Sequence, residues 1–379
     1  RRNCTQHSAQ RAKALSLRLL FLHHISSLSL DLPLLKTNPR VLKNPNHGFY
    51  QQRGRVGQSG DFYTSVSVGA MFGELLGFWL AEKLSSIHGK LQIIEAGANE
   101  GRMACDILDW LCQNRSELYH RIEYVVLEPS LRRRQWQNET LAQHQSKVRW
   151  LSDWTEIPPR SVRGVVLSNE LLDAFPVEVW RWNCSTQQWH EFGITLKEES
   201  LTWAPLTSTG CIPRELEALT SALGSFLPQS YQRELNPQAI SWWREASLRL
   251  EEGWLLTFDY GGSEEEFWSP DRPNGTLRGF RKHQTASVLE AESGDVDLTA
   301  SVNFTSIQAT GEAQGLVTEF YDRQQLFLVN ILTAWLATGL NLSPIQTRSL
   351  STLTRPEFLG TKFKAILQYR QPRERSLKL

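Results

Sequence analysis

Between residues 91 and 169 the chain alternates short strand-like runs with longer helical ones, and few folds accommodate that pattern. Leu91–Glu95, Tyr124–Glu128, Lys147–Leu151 and Gly164–Ser168 have the length and branched apolar content of strands, while Met103–Cys112 and Leu131–His144 between them carry helical spacing. A strand apolar at successive positions must be covered on both faces, and strands joined by helices run parallel. The order therefore predicts an α/β fold with a doubly wound, mostly parallel, Rossmann-like sheet. Trp254–Asp259 supplies a fifth buried strand, and Phe363–Tyr369 a late strand placed to close the sheet edge. Val177–Trp182 and Trp189–Leu196 read as a hairpin around Asn183–Gln188. A helical insertion is expected at about 200–253, its helices roughly over Pro213–Glu252. Ahead of the first strand, a helix starting near Ser67 presents Met71, Phe72, Leu75, Leu76, Phe78, Trp79, Leu80 and Leu84 as an apolar face that ends before Gly89.

Bulk properties exclude several classes. With 379 residues, 40% of them hydrophobic, the chain can bury a sizeable core. Its net charge of +1, from 41 basic and 40 acidic side chains, provides no overall field for nucleic acid or anionic lipid. Partner choice must come from a local site. No apolar run approaches the roughly 18 residues of a membrane span. Five scattered cysteines fit neither a zinc ribbon nor a disulfide framework. Cys105 and Cys112 read as core residues of one helix rather than metal ligands, and no metal is expected. The first thirty residues contain no Asp or Glu but carry Arg1, Arg2, Arg11, Lys13 and Arg18, the composition of an organellar transit peptide and equally of a disordered leader. Such a leader directs a chain to the mitochondrial matrix; a bacterial chain would be cytoplasmic.

The sharpest chemical signal is Glu95-Ala-Gly97-Ala-Asn99-Glu-Gly101, where the first strand turns into a helix. Glycine permits positive φ and close approach of a ligand, and the helix start offers free N–H groups to a carboxylate. A dinucleotide fingerprint needs glycine at 97, 99 and 102, yet Asn99 and Arg102 stand at two of these. The acidic-x-Gly-x-Gly-x-Gly form used for S-adenosylmethionine loses only its middle glycine, and asparagine tolerates left-handed backbone best among the others. Glu128, at the tip of the second strand, is placed to accept the ribose hydroxyls. Asp153 after the third strand could accept from the adenine amino group, with Trp154 as a stacking face; an exposed loop acid is an equal reading. After the fourth strand, Asn169, Glu170 and Asp173 form an acidic loop suited to a cationic methyl acceptor, since carboxylates pair with a guanidinium fork and can relieve it of a proton. Helix capping by Asn169 and a turn at Asp173 before Pro176 account for the same residues. Asp259 ends the fifth strand at the same sheet edge, and His283 is the candidate proton acceptor of the Gly275–His283 loop.

These motifs together resemble the MidA-type methyltransferases, a family that includes a mitochondrial complex I assembly arginine methyltransferase. The resemblance runs from about Asn44 to Tyr369. It rests on Asn46–Tyr50, Gly60-Asp-Phe-Tyr-Thr-Ser65, Phe72–Leu75, Glu95–Gly101, Glu128-Pro-Ser130, Asn169–Pro176, Asp259-Tyr-Gly261, Gly275–Arg278 and Asp297–Ala300. It implies a class I methyltransferase fold, S-adenosyl-L-methionine as donor and a protein acceptor, with arginine as the methylated residue; transfer to another acceptor, or an assembly factor that keeps the fold without turnover, is the alternative, no nucleic acid is implied and homodimerisation is left open. On that likeness Asp61, Thr64 and Ser65 cover the active site, Asp61 in a catalytic role and the hydroxyls toward the cofactor. Glu95, Gly97, Asn99, Gly101, Glu128 and Asp153 serve the cofactor, and Asn169, Glu170 and Asp173 the acceptor. The chain departs from the family at Ala98-Asn99-Glu100 in place of Gly-Pro-Gly, at Val66 in place of proline, and at Ser301 and Asn303 in place of His and Asp. The expected organisation is a leader over 1–43, a loop and helix covering the site over 44–90, and the methyltransferase domain over 91–370.

Overall fold

The computed structural model describes residues 64–197, 200–206, 211–269, 272–281, 284–289, 296–339, 341–355 and 362–372. The leader, the Asn46–Tyr50 motif, Asp61 and His283 lie outside the described residues. In chain order the strands are β1 (Leu91–Ala96), β2 (Ile122–Leu127), β3 (Val148–Leu151), β4 (Val162–Asn169), β5 (Glu178–Asn183), β6 (Gln188–Lys197), β7 (Ser200–Pro205), β8 (Gln232–Leu235), β9 (Leu250–Gly262), β10 (Arg278–Arg281), β11 (Gln284–Ala286), β12 (Asp297–Thr299), β13 (Val302–Asn303), β14 (Val317–Arg323) and β15 (Phe363–Arg370). The helices include α1 (Met71–Leu84), α2 (Arg102–Asn114), α3 (Ser116–Arg121), α4 (Leu131–Thr140), α5 (Arg214–Leu223), α6 (Pro237–Arg249), α7 (Glu264–Phe267), α8 (Phe304–Ala313), α9 (Gln324–Ala337) and α10 (Pro344–Thr354).

Two compact units divide the chain. The larger comprises the described parts of Arg53–Asp173, Gln238–Glu264 and Val302–Leu379. Its sheet runs in the order β14-β15-β9-β4-β1-β2-β3, with β13 added on β9. β3, β2, β1, β4 and β9 are parallel, as the strand–helix alternation requires, while β15 is antiparallel to both of its neighbours. The chain leaves β1 toward β2 and β3 and then returns to β4 and β9 on the other side, so the winding reverses beside β1. A crevice opens at such a reversal, outside the carboxyl ends of the strands, and ligands of open α/β sheets bind there. The strand expected to close the sheet edge is instead internal: β15 sits between β9 and β14, and Ala365, Ile366 and Leu367 are buried accordingly.

All eight residues read as the apolar face of the first helix are buried in α1. Burial extends to Gly73, Gly77 and Ala81, so α1 is enclosed on nearly all sides, as an apolar helix must be. Phe72 meets Phe258 edge-on at 5.2 Å, and Phe78 and Trp110 meet at 5.9 Å. A helix expected to run to His144 ends at Thr140; a 3-10 turn over Ala142–Lys147 follows. Of the two cysteines expected in the core, Cys105 is half-buried and Cys112 exposed.

The smaller unit, in its described part, comprises Ala174–Pro237 and Glu265–Ser301. The expected hairpin is β5 and β6, closing on Asn183 opposite Gln188. It belongs to a four-stranded antiparallel sheet ordered β7-β6-β5-β8; a second, three-stranded sheet is ordered β11-β10-β12. Trp180, Trp182, Trp189, Leu216, Leu219 and Tyr231 form a separate core. The segment expected as a helical insertion is thus mixed. Between about 200 and 253 it holds β7 and β8 as well as α5 and α6, and nearly all of α6 lies in the larger unit, leading into β9.

Candidate functional site

The turn after β1 adopts left-handed backbone at three alternate residues, with φ of 77° at Gly97, 46° at Asn99 and 84° at Gly101. Asn99 holds the conformation that a glycine would otherwise supply, at the modest cost asparagine incurs in that region. Gly101 then serves as N-cap of α2, and no side chain caps the first turn of that helix. Its N–H groups and the positive end of its dipole face the turn. A Cβ on Gly97 would lie 3.0 Å from Leu171 Cδ1, so the loops after β1 and β4 come into contact at this point.

Gln137 of α4, fully buried, joins the turn to the second candidate element. Its amide nitrogen donates to the Asn99 carbonyl at 2.9 Å and to Glu128 Oε2 at 3.4 Å, while its oxygen accepts from Trp150 Nε1 at 3.0 Å. Glu128, itself 1% exposed, has Oε1 held by the Ser130 N–H at 2.8 Å and by the Arg133 guanidinium at 2.9 Å. The glycine turn and Glu128 therefore converge on one side chain. Glu95 lies one step back inside β1, where its carboxylate accepts from Tyr124 Oη at 2.6 Å. Burial pushes its pKa up to about 7 against the pull of that hydrogen bond.

On the other side of β1, the end of β4 carries the second group. Asn169 Nδ2 donates to Glu170 Oε1 at 3.1 Å, and Asn169 Oδ1 is a buried acceptor with no hydrogen-bond donor among the described residues. Glu170 is held at φ 51°, its N–H donating to the Phe258 carbonyl at 2.8 Å. Non-glycine residues forced into that region concentrate where a neighbouring fold imposes the geometry, often at functional sites. Asp259, fully buried at the end of β9, accepts on Oδ2 from Leu171, Leu172 and Asp173 N–H at 3.2, 2.7 and 3.4 Å, and on Oδ1 from Tyr260 N–H at 2.8 Å. Burial, and then the Asp173 charge, push its pKa well up while the amides pull it down. Burial together with Glu170, Asp173 and Asp259 likewise raises the Tyr260 phenol.

The remaining expected residues have other local roles. Thr64 caps the 3-10 turn Ser65–Val68 in a reciprocal box with Ser67. The Ser65 hydroxyl, wholly buried, pairs with the Gln324 side chain of α9. Asp153 is exposed and caps the next turn, accepting from the Thr155 N–H at 2.8 Å and from its hydroxyl. Trp154 beside it is buried. In the smaller unit, Thr276 of the Gly275–Arg278 motif donates to Glu234 through its N–H at 2.7 Å and its hydroxyl at 3.0 Å. Gln137 and Arg133 were not foreseen: they sit in the polar run Arg132–Thr140, where nothing in the spacing separates an inward glutamine from an exposed one. Glu128 five residues before Arg133, across a helix start, was the available hint.

A sheet of this order with one antiparallel strand inserted beside its margin, a glycine turn leading into an uncapped helix, and a buried acid after β2 define a class I S-adenosyl-L-methionine-dependent methyltransferase. The donor's demands are met on structural grounds: left-handed backbone leaves room on the turn, the helix start offers N–H groups to a carboxylate, and Asn169 Oδ1 is a buried acceptor available to an ammonium. The chain belongs to the family described as "Putative S-adenosyl-L-methionine-dependent methyltransferase", whose model matches residues 75–321. Its fold is similar to a Burkholderia thailandensis structure with S-adenosyl-homocysteine bound, at 25% identity and a TM-score of 0.82 over 95% of this chain and 93% of that one. It is 26% identical to the Drosophila melanogaster protein arginine methyltransferase NDUFAF7 homolog, mitochondrial, over 89% of this chain and 81% of that protein. The Mus musculus protein arginine methyltransferase NDUFAF7, mitochondrial, is 28% identical over 77% and 68% respectively. Among the described residues, no helix is long and apolar enough to cross a membrane.

Proposed function

We propose that this methyltransferase modifies an arginine side chain of a protein. The observation that carries the reading is the group of carboxylates Glu170, Asp173 and Asp259 gathered after β4 and near the end of β9, where Asp259 accepts the Leu171–Asp173 amides and burial, then the neighbouring acids, raises the proton affinity of Asp259 and Tyr260. A site that concentrates negative charge next to the donor turn favours a cationic acceptor, and the names of the relatives agree with this. The donor supplies an electrophilic methyl group. Gly97, Asn99, Gly101 and the start of α2 hold its amino acid end, and Glu128, steadied by Arg133 and Gln137, receives its ribose. Glu170 and Asp173 align the guanidinium and localise its charge on the nitrogens away from the attacking one, and one of them takes the proton that this nitrogen gives up. Asn169 Oδ1 accepts a further N–H.

The test is incubation of the purified chain with isotope-labelled donor and mitochondrial extract, followed by mass spectrometry of the labelled residue. Methyl-arginine that is lost on Glu170→Gln supports the reading, whereas label on another residue or on a small molecule overturns it. The mitochondrial matrix is the proposed location, supported by the relatives' names. The protein expressed with a fluorescent protein at its C-terminus should give mitochondrial fluorescence; diffuse cytosolic signal would refute it.

A further inference from the structure

Away from the donor turn, on the next stretch of α2, three ligand-type side chains come together. Cys105 and Asp109 are four apart and share one face of α2, and the 3-10 turn Ala142–Lys147 brings His144 against them. Cys105 Sγ lies 3.6 Å from Asp109 Oδ2, and His144 Nε2 lies 3.0 Å from Asp109 Oδ1. One ligand atom from each of the three falls within 4.8 Å of the others. A tetrahedral zinc ion with a sulfur ligand at about 2.3 Å and nitrogen and oxygen ligands at about 2.0 Å has ligand–ligand edges of roughly 3.3–3.5 Å. The two separations are of that size but run to different oxygens of Asp109, so the carboxylate turns to offer a single oxygen when the ion enters.

We propose that Cys105, Asp109 and His144 form a divalent transition-metal site, with zinc the ion their chemistry fits best and water completing the tetrahedron. Thiolate, imidazole and carboxylate suit zinc and exclude calcium and magnesium, which take oxygen ligands. The outer shell is in place as well. His144 is buried, and its Nδ1 lies 2.9 Å from Tyr119 Oη, so the ring is oriented with Nε2 toward Cys105 and Asp109. Asp109, with its side chain 44% exposed, leaves the fourth corner open to solvent.

Without metal the three groups satisfy one another, with the thiol and the Nε2–H both donating to Asp109. Metal entry replaces both donations. The thiol proton is released to solvent, and the imidazole proton moves from Nε2 to Nδ1, where it donates to Tyr119 Oη. One proton is lost per ion bound and no electron moves. The ion then ties α2, which starts at the donor turn, to the segment leading into β3.

The experiment is titration of the chelator-treated, reduced chain with cobalt(II), followed by zinc competition. The site requires one equivalent of cobalt, a thiolate-to-cobalt charge-transfer band, the intense visible bands of tetrahedral cobalt, and bleaching of both by zinc. Calorimetry with zinc in buffers of different ionisation enthalpy should give about one proton released. Cys105→Ser should abolish the charge-transfer band, and Asp109→Asn should weaken binding at least tenfold. Cys112→Ser, which removes an exposed thiol from the same helix, should change neither. Circular dichroism and donor binding report whether each variant is folded. Absence of the charge-transfer band in the folded chain, or its survival in Cys105→Ser, overturns the site and leaves a hydrogen-bonded cluster.

Discussion

The carboxyl edge of the main sheet has two halves that treat their acids differently. On the β1–β2 half, side chains do most of the holding: Tyr124 donates to Glu95, and Arg133 and Gln137, with the Ser130 N–H, secure Glu128. On the β4–β9 half, backbone amides hold Asp259, and neighbouring carboxylates raise proton affinities. A donor of fixed shape is served by acids locked in one geometry. Under the proposed function, a cationic acceptor that must lose a proton is served by acids whose charges repel and are relieved when the cation arrives.

The strongest way to break this contrast is Asp173→Asn. It should lower methylation by about 10³-fold, within the range for a general base, while leaving donor affinity unchanged by calorimetry. Equal loss of both would merge the two halves into one structural unit. Arg133→Met should cost about 3–5 kcal/mol of stability in urea unfolding, because Glu128 would remain buried without its cation. Retained stability would show that Ser130 and Gln137 suffice.

The pH dependence of Glu95 is the next effect. The folded chain holds this carboxyl to about 7 against 4.5 for the ordinary group, chiefly through burial. Between those values the folded state keeps a proton that the unfolded chain has released, so stability falls as pH rises through this window and levels off above it. The native chain should lose about 3 kcal/mol relative to Glu95→Gln between pH 4.5 and 7.5, measured by denaturant unfolding. Parallel curves would mean that the Glu95–Tyr124 pair does not titrate there. Smallest is Gly97→Ala, where the positive φ and the nearby Leu171 Cδ1 should together cost roughly 1–2 kcal/mol, seen in donor affinity as well as stability. An effect on stability alone would remove the turn from the donor half.

The parallel strands, the glycine turn and the acids at 128, 170 and 173 were legible because they are local. Apolar runs, a strand–helix junction and the tips of strands announce themselves at fixed short spacings. Asn99 at positive φ is the clearest case, since its side chain type alone anticipated the backbone. The strands β7, β8 and β10–β12 were not legible, being short segments of mixed polarity whose pairing partners lie far along the chain.

By itself the sequence determined the central sheet and the chemistry available at its carboxyl edge, because burial on both faces and backbone conformation act through neighbouring residues. Only the tertiary structure decided that β15 enters between β9 and β14, that Gln137 spans Asn99 and Glu128, that Asp259 receives three successive amides, and that His144 meets Cys105 and Asp109. Each of these depends on which surfaces meet when distant segments pack, and on which polar group must then be satisfied away from water. No local spacing records either.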